Sequence, residues 1–547
     1  MHPTSSGDGL SRRELLTTGA TAAAASTLAP LLGSSAQAAE PAATTAPAFE
    51  LAEMGVAELG AGQESGRWTA RGLAEIYLGR IAAVDGSLRS VIEVNPDALA
   101  IADAADRERH EKGARGPLHG VPVLIKDNIG SADRMETTAG SLALVGRRPG
   151  RDAFVVERLR HAGAVILGKT NLTEWANFRA NQSSSGWSGR GGQCRNPFAL
   201  DRSPCGSSFG TGAAISANLA AVGVGTETDG SITCPAHACG LVGLKPTVGL
   251  VSRSGIIPIA ASQDTAGPMC RTVTDTAVLL GALAGEDPRD VATGSSAGRL
   301  HSDYTRFLDP KGLQGARLGV PRKRFFGYSP EADRLIEEAL GELRRQGAVL
   351  VDPAEIPRAS DYDDEEFDVL LYEFKAGVNA YLADLPGSDG PRTLADLIAF
   401  NEASRDREMP FFGQEIFLQA QAKGPLSSDK YRRAREKCVR LSRHKGLDEV
   451  LDKHHLDALV GPTGAPVWPI DLVNGDHYLG SFSQPAAVAG YPHITVPAGF
   501  AFGLPVGLSF VGRAWSEPLL LKLAYAFEQA THHRRQPRLL ATADLGV

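Results

Sequence analysis

Short β-branched runs alternate along this chain with segments of helical periodicity. The run from Val121 to Ile125, which ends at Lys126, follows a helical segment that reaches Lys112. The apolar run from 164 to 168 follows another helical segment, from 152 to 161. Strands that alternate with helices in this way are typical of α/β proteins, whose central sheet is largely buried. We therefore predict an α/β fold.

The chain is long enough for several domains, but its pattern favours one. With 547 residues it can bury a large core. The alternation returns near the C-terminus, where a strand region up to Val511 precedes a predicted helix from 517 to 531. Residues 355–445 are more charged and carry scattered aromatic side chains. We predict one catalytic domain from 48 to 547, with a variable, mostly helical insertion around 355–445 that lines the substrate pocket.

The first 38 residues have the features of an export signal. A twin arginine, Arg12-Arg13, precedes an Ala/Thr/Leu stretch, and Ala36-Gln37-Ala38 supplies a small-x-small cleavage pattern. A Tat-type signal peptide would then span 1–38 and a linker 39–47; the alternative is a disordered Ala-rich tail. The stretch is too rich in Thr, Ser and Gly for a membrane anchor. We expect a periplasmic or extracellular protein without stable membrane insertion.

Charge and cysteine content limit the partners and cofactors. The formal net charge of -7 gives no basic stripe for nucleic acid. Six cysteines permit one or two disulfides in an oxidising compartment, and their pairing stays open. Cys234, His237 and Cys239, with Cys205 upstream, resemble a metal-ligand cluster. Their spacing matches no standard zinc pattern, and buried cysteine is more often a small hydrophobe, so we predict no metal.

Two Gly/Ser-rich segments carry the strongest chemical signal. The segment 206–212 is followed by a small-residue run, 213–224, which predicts a tightly packed helix, and then by the segment 225–232. Glycines beside serines let the backbone turn sharply and leave N–H groups free. An acyl-transfer site needs such a reachable hydroxyl beside free amide donors. The alternatives are two plain loops or a phosphate cradle, but the Gly-Lys-Ser/Thr of a phosphate loop is absent.

These segments resemble the amidase signature, and the resemblance extends over most of the chain that follows the predicted signal peptide. It is carried by the stretches 116–128, 168–175, 206–231, 240–247, 490–497 and 503–508. Membership of this family implies one large domain, with a central mixed β-sheet covered by helices on both faces. It also implies amide hydrolysis without a metal or an organic cofactor.

The resemblance implies a role for each residue of a Ser-Ser-Lys triad. Ser231 matches the nucleophile, and Ser207 matches the bridging serine, which follows a cis peptide bond in this family. Lys126 matches the base; an amine is a base only when neutral, so this lysine must be desolvated. The backbone N–H groups of 228–231 (Thr228, Asp229, Gly230 and Ser231) are the expected oxyanion donors. Ser208 is expected to support the network by hydrogen bonding.

Asp229 departs from a common family pattern, because many members have glycine at this position. The sequences of 226–232 and 248–259 resemble those of bacterial peptide amidases, which remove the C-terminal amide of peptides and release ammonia. Asp229 would place a carboxylate where it can bind the carboxamide nitrogen or orient the peptide. An Asx turn is an equally good interpretation of this residue.

Three other functions compete with a peptide amidase. A broad-specificity aryl, alkyl or fatty acid amide hydrolase would use the same triad with a different pocket. An amidotransferase component that passes ammonia to a tRNA-bound substrate is disfavoured by the export signal. A catalytically inactive exported binding protein on the same scaffold is disfavoured because all three triad positions are filled. A small-molecule or peptide amide is therefore the expected substrate, and nucleic acid is not an expected partner.

Overall fold

A computed structural model describes residues 47–545, so the predicted signal peptide (1–38) and nearly all of the linker lie outside the described residues. At its centre are eleven strands: β1 Val91–Val94, β2 Pro122–Lys126, β3 Val165–Thr170, β4 Val222–Glu227, β5 Val242–Lys245, β6 Thr265–Cys270, β7 Arg317–Gly319, β8 Val349–Val351, β9 Ala458–Pro462, β10 His493–Ala501 and β11 Leu504–Val511. They form one sheet in the order β1-β3-β2-β4-β6-β5-β10-β11-β9-β7-β8.

The sheet is mixed, as the resemblance implies. β3, β2 and β4 run parallel to one another, and so do β9, β7 and β8 at the other side. The middle of the sheet, from β4 through β6, β5, β10 and β11 to β9, is antiparallel. Every residue of β2, β3 and β4 is buried, which requires cover on both faces. The predicted α/β fold with a central mixed sheet is confirmed.

Seventeen α-helices belong to the described part of the chain. They are α1 Val56–Glu64, α2 Ala70–Leu88, α3 Ala98–Lys112, α4 Phe154–His161, α5 Phe209–Ser216, α6 Thr233–Ala238, α7 Val273–Leu283, α8 Arg322–Phe325, α9 Pro330–Arg345, α10 Asp363–Asp384, α11 Leu394–Ala403, α12 Arg405–Glu408, α13 Glu415–Gln421, α14 Asp429–Val439, α15 Asp448–His454, α16 Gln484–Ala489 and α17 Glu517–Thr531. A π-helical segment, Arg440–Leu447, joins α14 to α15. None of these helices is both long and apolar enough to cross a membrane.

The small-residue run 213–224 is the main error among the predicted elements. Its helix, α5, ends at Ser216, and the last residues of the run belong to β4. Asn218 adopts a left-handed conformation (φ 62°) that α-helix does not allow, and the chain turns there. The Val-Gly-Val-Gly pattern that follows pairs with β2 on one side and β6 on the other. Burial between two strands therefore outweighs the helical composition of the run.

The 355–445 segment is largely helical and forms a second apolar cluster beside the sheet. Helices α10, α11 and α13 pack together around Phe374 and Phe417. The ring of Phe417 also meets Trp175, in the loop after β3, with centroids 5.8 Å apart. The segment is thus attached to the loops at the carboxyl end of the parallel strands.

Candidate active site

Lys126 stands at the carboxyl end of β2, next to the end of β4. The register pairs Ile125 with Val224, so the next residue, Lys126, reaches the end of β4, where its side chain meets Thr226. The lysine Nζ lies 2.8 Å from Ser207 Oγ, 2.9 Å from Thr226 Oγ1 and 3.2 Å from the Thr226 carbonyl oxygen. Two parallel strands and the loop before α5 therefore converge on one amine.

Lys126 is completely buried, and its pKa is held well below the ordinary lysine value. Burial is the main cause, and the nearby carboxylates of Glu227 and Asp264 oppose it only in part. A neutral amine donates two hydrogen bonds and offers one lone pair. The three contacts of Nζ fit this pattern if the Ser207 hydroxyl donates to the lone pair. The arrangement can therefore accept a proton from Ser207.

Thr226 is a site residue that the sequence reasoning did not single out. Besides its two contacts with Lys126, its hydroxyl accepts a hydrogen bond of 3.0 Å from Asn128 Nδ2. The sequence did contain a hint, because Thr226 belongs to the Gly/Ser-rich segment 225–232. It also stands near the end of β4, which runs parallel to the strand that carries Lys126. Recognising it required the register between β2 and β4, which the sequence alone does not show.

Ser207 and Ser208 lie where the chain enters α5. The peptide bond Gly206–Ser207 is cis, as the resemblance implies. A Cβ atom on Gly206 would approach Thr173 Oγ1 to 2.5 Å, so only glycine fits at that position. The Ser208 hydroxyl donates to the Thr226 carbonyl oxygen (3.0 Å) and accepts from the Thr226 N–H (3.2 Å). Ser208 thereby ties the start of α5 to the end of β4.

Ser231 follows β4 and faces a large cleft. Its carbonyl oxygen accepts a 3.1 Å hydrogen bond from the Ser208 N–H, which brings the two serine loops together. The Ser231 side chain lines the cleft, and its hydroxyl makes no hydrogen bond to another described residue. The structure thus joins Lys126 and Ser207 by a direct contact, whereas Ser231 approaches them through the backbone. Catalytic contacts of this kind are often loose without substrate.

The turn that carries Ser231 is held from its buried side by Glu227. One carboxylate oxygen, Oε2, accepts from the N–H groups of Ile232 (2.7 Å) and Thr233 (2.9 Å), where α6 begins. Gly230 has a φ of 78°, which favours glycine. The backbone N–H groups from 228 to 231 donate no hydrogen bond to any residue within 47–545. This turn can therefore present free amide donors to a developing oxyanion.

A disulfide links the two serine loops. Cys205 stands two residues before Ser207, Cys234 stands three residues after Ser231, and their Cα atoms are 6.0 Å apart. Both cysteines line the cleft. The other cysteines, Cys194, Cys239, Cys270 and Cys438, are buried and unpaired. The cysteine pairing that the sequence left open thus includes one bridge directly beside the site.

His237 and Cys239 do not form a metal centre with this pair. The His237 ring nitrogens contact the Ala465 carbonyl oxygen (2.9 Å) and the Gly507 N–H (2.8 Å). No group of three or more His, Cys, Asp or Glu side chains that could hold a metal ion occurs in the described range.

Asp229 points a carboxylate into the site beside Ser231. Its Oδ1 atom is buried and has no hydrogen-bond partner among the described residues. Its pKa is raised to about 6, mainly by burial; a hydrogen bond from Ser483 opposes the rise, and the Glu227 carboxylate adds to it. The carboxylate accepts none of the local backbone N–H bonds that an Asx turn requires. Asp229 therefore lines the cleft and keeps one carboxylate oxygen without a hydrogen-bond partner among the described residues.

Glu366 stands behind Asp229 and was not anticipated from the sequence. Its carboxyl group accepts hydrogen bonds from Gln484 (2.6 Å) and Gln263 (3.1 Å). Burial and the neighbouring Asp229 raise the pKa of Glu366 to about 8. At neutral pH, Glu366 is therefore mostly protonated while Asp229 is mostly ionised, so the pair carries about one negative charge.

The cleft in front of Ser231 has a volume of about 880 Å³, which suits a ligand larger than a simple amide. Its walls come from three loop regions, around 177–185, 324–328 and 463–484. Aromatic side chains, including Phe326, Trp468 and Tyr478, stand among many polar ones. None of the residues that line this cleft belongs to the 355–445 segment, so the predicted lining is wrong for the cleft itself. The segment instead contributes Phe411, Phe412 and Glu415 to a depression that adjoins the cleft.

Comparison with known proteins places these features in context. The family model "Amidase" matches residues 73–521. A probable amidase of Arabidopsis thaliana is 43% identical over 503 residues, which cover 90% of this chain and 93% of that protein. The solved structure of a peptide amidase from Stenotrophomonas maltophilia matches with a TM-score of 0.85 and 54% identity, covering 90% of this chain and 99% of that one. A glutamyl-tRNA(Gln) amidotransferase subunit from Chloroflexus aurantiacus is 38% identical over 506 residues, covering 90% and 99% of the two chains.

Proposed function

The chain belongs to the amidase family and is an amide-hydrolysing enzyme, and on that premise we propose that it removes the C-terminal amide group of peptides with release of ammonia. One observation carries the choice of substrate: Asp229 lines the cleft together with Ser231, and one of its carboxylate oxygens has no hydrogen-bond partner among the described residues. A primary carboxamide carries two N–H donors, so one of them can bind Asp229. The similarity to a peptide amidase structure supports the same choice.

In the proposed mechanism, Ser231 attacks the carboxamide carbon. The Ser231 proton passes to Ser207, and the Ser207 proton passes to the lone pair of neutral Lys126. A bond forms between Ser231 Oγ and the carbonyl carbon, and the carbonyl oxygen becomes an oxyanion. The free N–H groups of Thr228, Asp229, Gly230 and Ser231 stabilise that charge. The 2.8 Å contact between Lys126 and Ser207 supports the last transfer of the relay.

The second half of the reaction returns the proton. The Lys126 ammonium gives its proton back through Ser207 to the leaving nitrogen, the C–N bond breaks, and ammonia departs. Water then hydrolyses the acyl-enzyme by the same relay. Ser208 and Thr226 act as positioning residues, because each fixes the end of β4 against the serine loop or the amine.

Asp229 is proposed to bind the leaving nitrogen, on the opposite side of the carbonyl carbon from the oxyanion. Its carboxylate accepts one N–H of the primary amide, and its negative charge favours the amine as the nitrogen gains a proton. A substituted amide nitrogen, as in an anilide, has only one N–H and a bulky group in this position. Asp229 therefore disfavours anilides relative to primary amides.

We further propose that the mature enzyme works outside the cytoplasm. The twin-arginine segment and the cleavage pattern at 36–38 support export by the Tat pathway. A disulfide between Cys205 and Cys234 is compatible with an oxidising compartment.

Ammonia release from a peptide amide, compared with matched anilide and fatty amide substrates, tests the proposal. We expect the peptide amide to be the best substrate, and Ser231→Ala to abolish turnover while the circular dichroism spectrum stays unchanged. Preference for the anilide or fatty amide would move the specificity to a broad amide hydrolase. Substantial activity in purified Ser231→Ala would reject the triad, and an inactive wild-type enzyme would favour a binding protein on this scaffold.

A further inference from the structure

A depression of about 350 Å³ adjoins the cleft, and no catalytic role explains it. We propose that this depression binds an apolar side chain in the N-terminal part of the same peptide amide whose C-terminal carboxamide reaches Ser231. The inference rests on the proposed function and adds a distal subsite to it. We name it the distal site and define it by Phe411, Phe412, Leu472 and Val473.

The distal site is continuous with the cleft. Asn181, Gln182 and Asn474 line both the 880 Å³ cleft and the 350 Å³ depression. A chain that leaves Ser231 along the cleft can therefore cross these three residues without leaving the surface of the protein. An extended peptide rises about 3.3 Å per residue, so only a substrate of several residues would reach the far end. Continuity with the catalytic cleft is the reason to assign the substrate, rather than another protein, as the occupant.

Exposed apolar side chains lie along the route from the cleft to the distal site. Val473 is 89% exposed and Phe411 is 43% exposed at the distal site. Tyr478 (53%) and Leu479 (45%) are exposed in the cleft itself. Single exposed hydrophobic residues are ordinary, but apolar side chains gathered along one groove indicate a binding surface. Burying them against an apolar substrate side chain would remove this surface from water.

The distal site is held rigidly before any ligand arrives. The rings of Phe411 and Phe412 meet Trp187 edge-on, with centroids 5.6 Å and 5.2 Å away. The guanidinium of Arg179 lies 4.3 Å from the Phe412 ring centroid, and it is fixed in turn by a buried ion pair of 2.7 Å with Glu174. A preformed site loses little conformational entropy on binding.

The opposite wall is fixed as well. Asp471 Oδ1 accepts hydrogen bonds of 2.9 Å from the N–H groups of both Val473 and Asn474. The Asp471 carbonyl oxygen accepts a 2.8 Å bond from the Ser184 hydroxyl, on the facing loop. The two loops that enclose the distal site are thus joined to each other, and Val473 is presented outward by a fixed turn.

Polar groups between the two cavities suit a peptide backbone. The side-chain amides of Asn181 and Gln182 are exposed and make no hydrogen bond with another described residue. Each offers both a donor and an acceptor, as an extended peptide does. Glu415 is the charged side chain that lines the depression, and no described Lys or Arg does. The distal site should therefore disfavour an acidic residue in the substrate.

The test is a ladder of peptide amides, from two to seven residues, with leucine placed at successive positions in an alanine background. For the wild-type enzyme we expect kcat/KM to rise about five- to tenfold at one length and one leucine position, mainly through a lower KM. Aspartate at that position should remove the gain. In Val473→Ser the gain should fall to about twofold or less, while the dipeptide amide keeps its wild-type kcat and KM. Val291→Ser, which changes a 91% exposed valine outside both cavities, is the matched control.

Each other outcome overturns the inference in a recognisable way. Equal kcat/KM for all lengths would reject the distal site but leave the peptide amidase function intact. A gain that persists in Val473→Ser, and also in Phe411→Ser, would place the subsite elsewhere. Failure to hydrolyse any peptide amide would reject the proposed function itself. If Val473→Ser changes the sedimentation coefficient but not the kinetics, the patch is a contact between copies of this chain.

Discussion

The pocket around Lys126 and the cleft in front of Ser231 share a wall but differ in construction. In the pocket, Lys126, Ser207 and Ser208 are fully buried, and the hydroxyls of Ser208 and Thr226 are hydrogen-bonded to neighbours. The cleft is open, and its walls carry exposed side chains such as those of Asn181, Gln182 and Tyr478. The pocket is built by strand ends and glycine-rich turns, whereas the cleft is built by loops.

On the proposed mechanism, the pocket carries the chemistry and the cleft carries the specificity. Replacing a side chain in the pocket leaves a buried group without its partner, so the effect on the reaction should be large. Replacing a side chain in the cleft changes contacts that water can partly restore, so the effect should be small and should depend on the substrate. Substitutions in the two regions can therefore be ranked in advance.

Lys126→Met should have the largest effect. The variant removes the proposed proton acceptor, and we expect kcat to fall by about 10⁴-fold or more. Its melting temperature should be unchanged or higher, because a buried amine with a strongly lowered pKa costs folding free energy. The measurement is ammonia release together with thermal unfolding.

Lys169→Met is the matched control for that variant. Lys169 is also fully buried and its pKa is lowered to about 8, but its contacts are with Ile129 and Thr137. With a pKa of about 8, Lys169 stays mostly charged at neutral pH next to the buried Asp127, and methionine would leave that carboxylate without this charge partner. We therefore expect Lys169→Met to lose stability rather than kcat. Equal losses of kcat in both variants would mean that Lys126→Met acts by damaging the fold and not by removing a proton acceptor.

Opening the disulfide should have the second-largest effect. A dithiol reductant supplies two electrons and two protons, leaves thiols at Cys205 and Cys234, and is itself oxidised to a disulfide. Cross-linking a loop of 29 residues stabilises the fold by about 3–4 kcal/mol on chain-entropy grounds. Because the bridge ties the two serine loops together, a small displacement should lower kcat by up to about 10²-fold.

The double variant Cys205→Ala/Cys234→Ala should reproduce the loss of kcat, measured below its melting temperature. Cys438→Ala, which changes a buried unpaired cysteine in α14, serves as its control. Undiminished kcat in the reduced enzyme would show that the hydrogen bond between Ser208 and Ser231 holds the loops without the bridge.

Asp229→Asn should have a smaller effect that depends on pH. Because the pKa of Asp229 is raised from its ordinary value to about 6, the group is protonated below pH 6 and ionised above it. On the proposed mechanism, only the ionised form binds the leaving nitrogen, so kcat/KM of the wild-type enzyme should rise with pH through about 6 and then level off. The variant should lose this rise and about tenfold in kcat/KM at neutral pH.

Asp264 supplies the check on that assignment. Its pKa is also raised to about 6, and it accepts a 2.5 Å hydrogen bond from the Thr228 hydroxyl. A rise through pH 6 that survives in Asp229→Asn but not in Asp264→Asn would move the titration from the cleft to the buried pocket. The pKa of Glu366, about 8, predicts a separate inflection on the alkaline side.

The sequence predicted the pocket better than the cleft, and the reason is physical. Local signals such as a β-branched run ending in lysine place β2 and Lys126 correctly, and helix α17 begins and ends where its pattern predicts. Contacts through space left no such signal. The pairing of Cys205 with Cys234 and the approach of Glu366 to Asp229 join residues far apart in sequence. The walls of the cleft come from loops that are far apart in sequence. Only the complete fold determines which of these loops lie next to each other.

The origin of the cleft walls has a consequence for engineering the enzyme. None of the three loop regions that form them, around 177–185, 324–328 and 463–484, contains Lys126, Ser207 or Ser231. A library confined to those loops, with Ser483 and Gln484 kept for their contacts with Asp229 and Glu366, would explore substrate preference while leaving the reaction untouched. Selection for new amides should accordingly accumulate changes there first, and recombination between relatives at the loop boundaries should yield active hybrids with exchanged preferences.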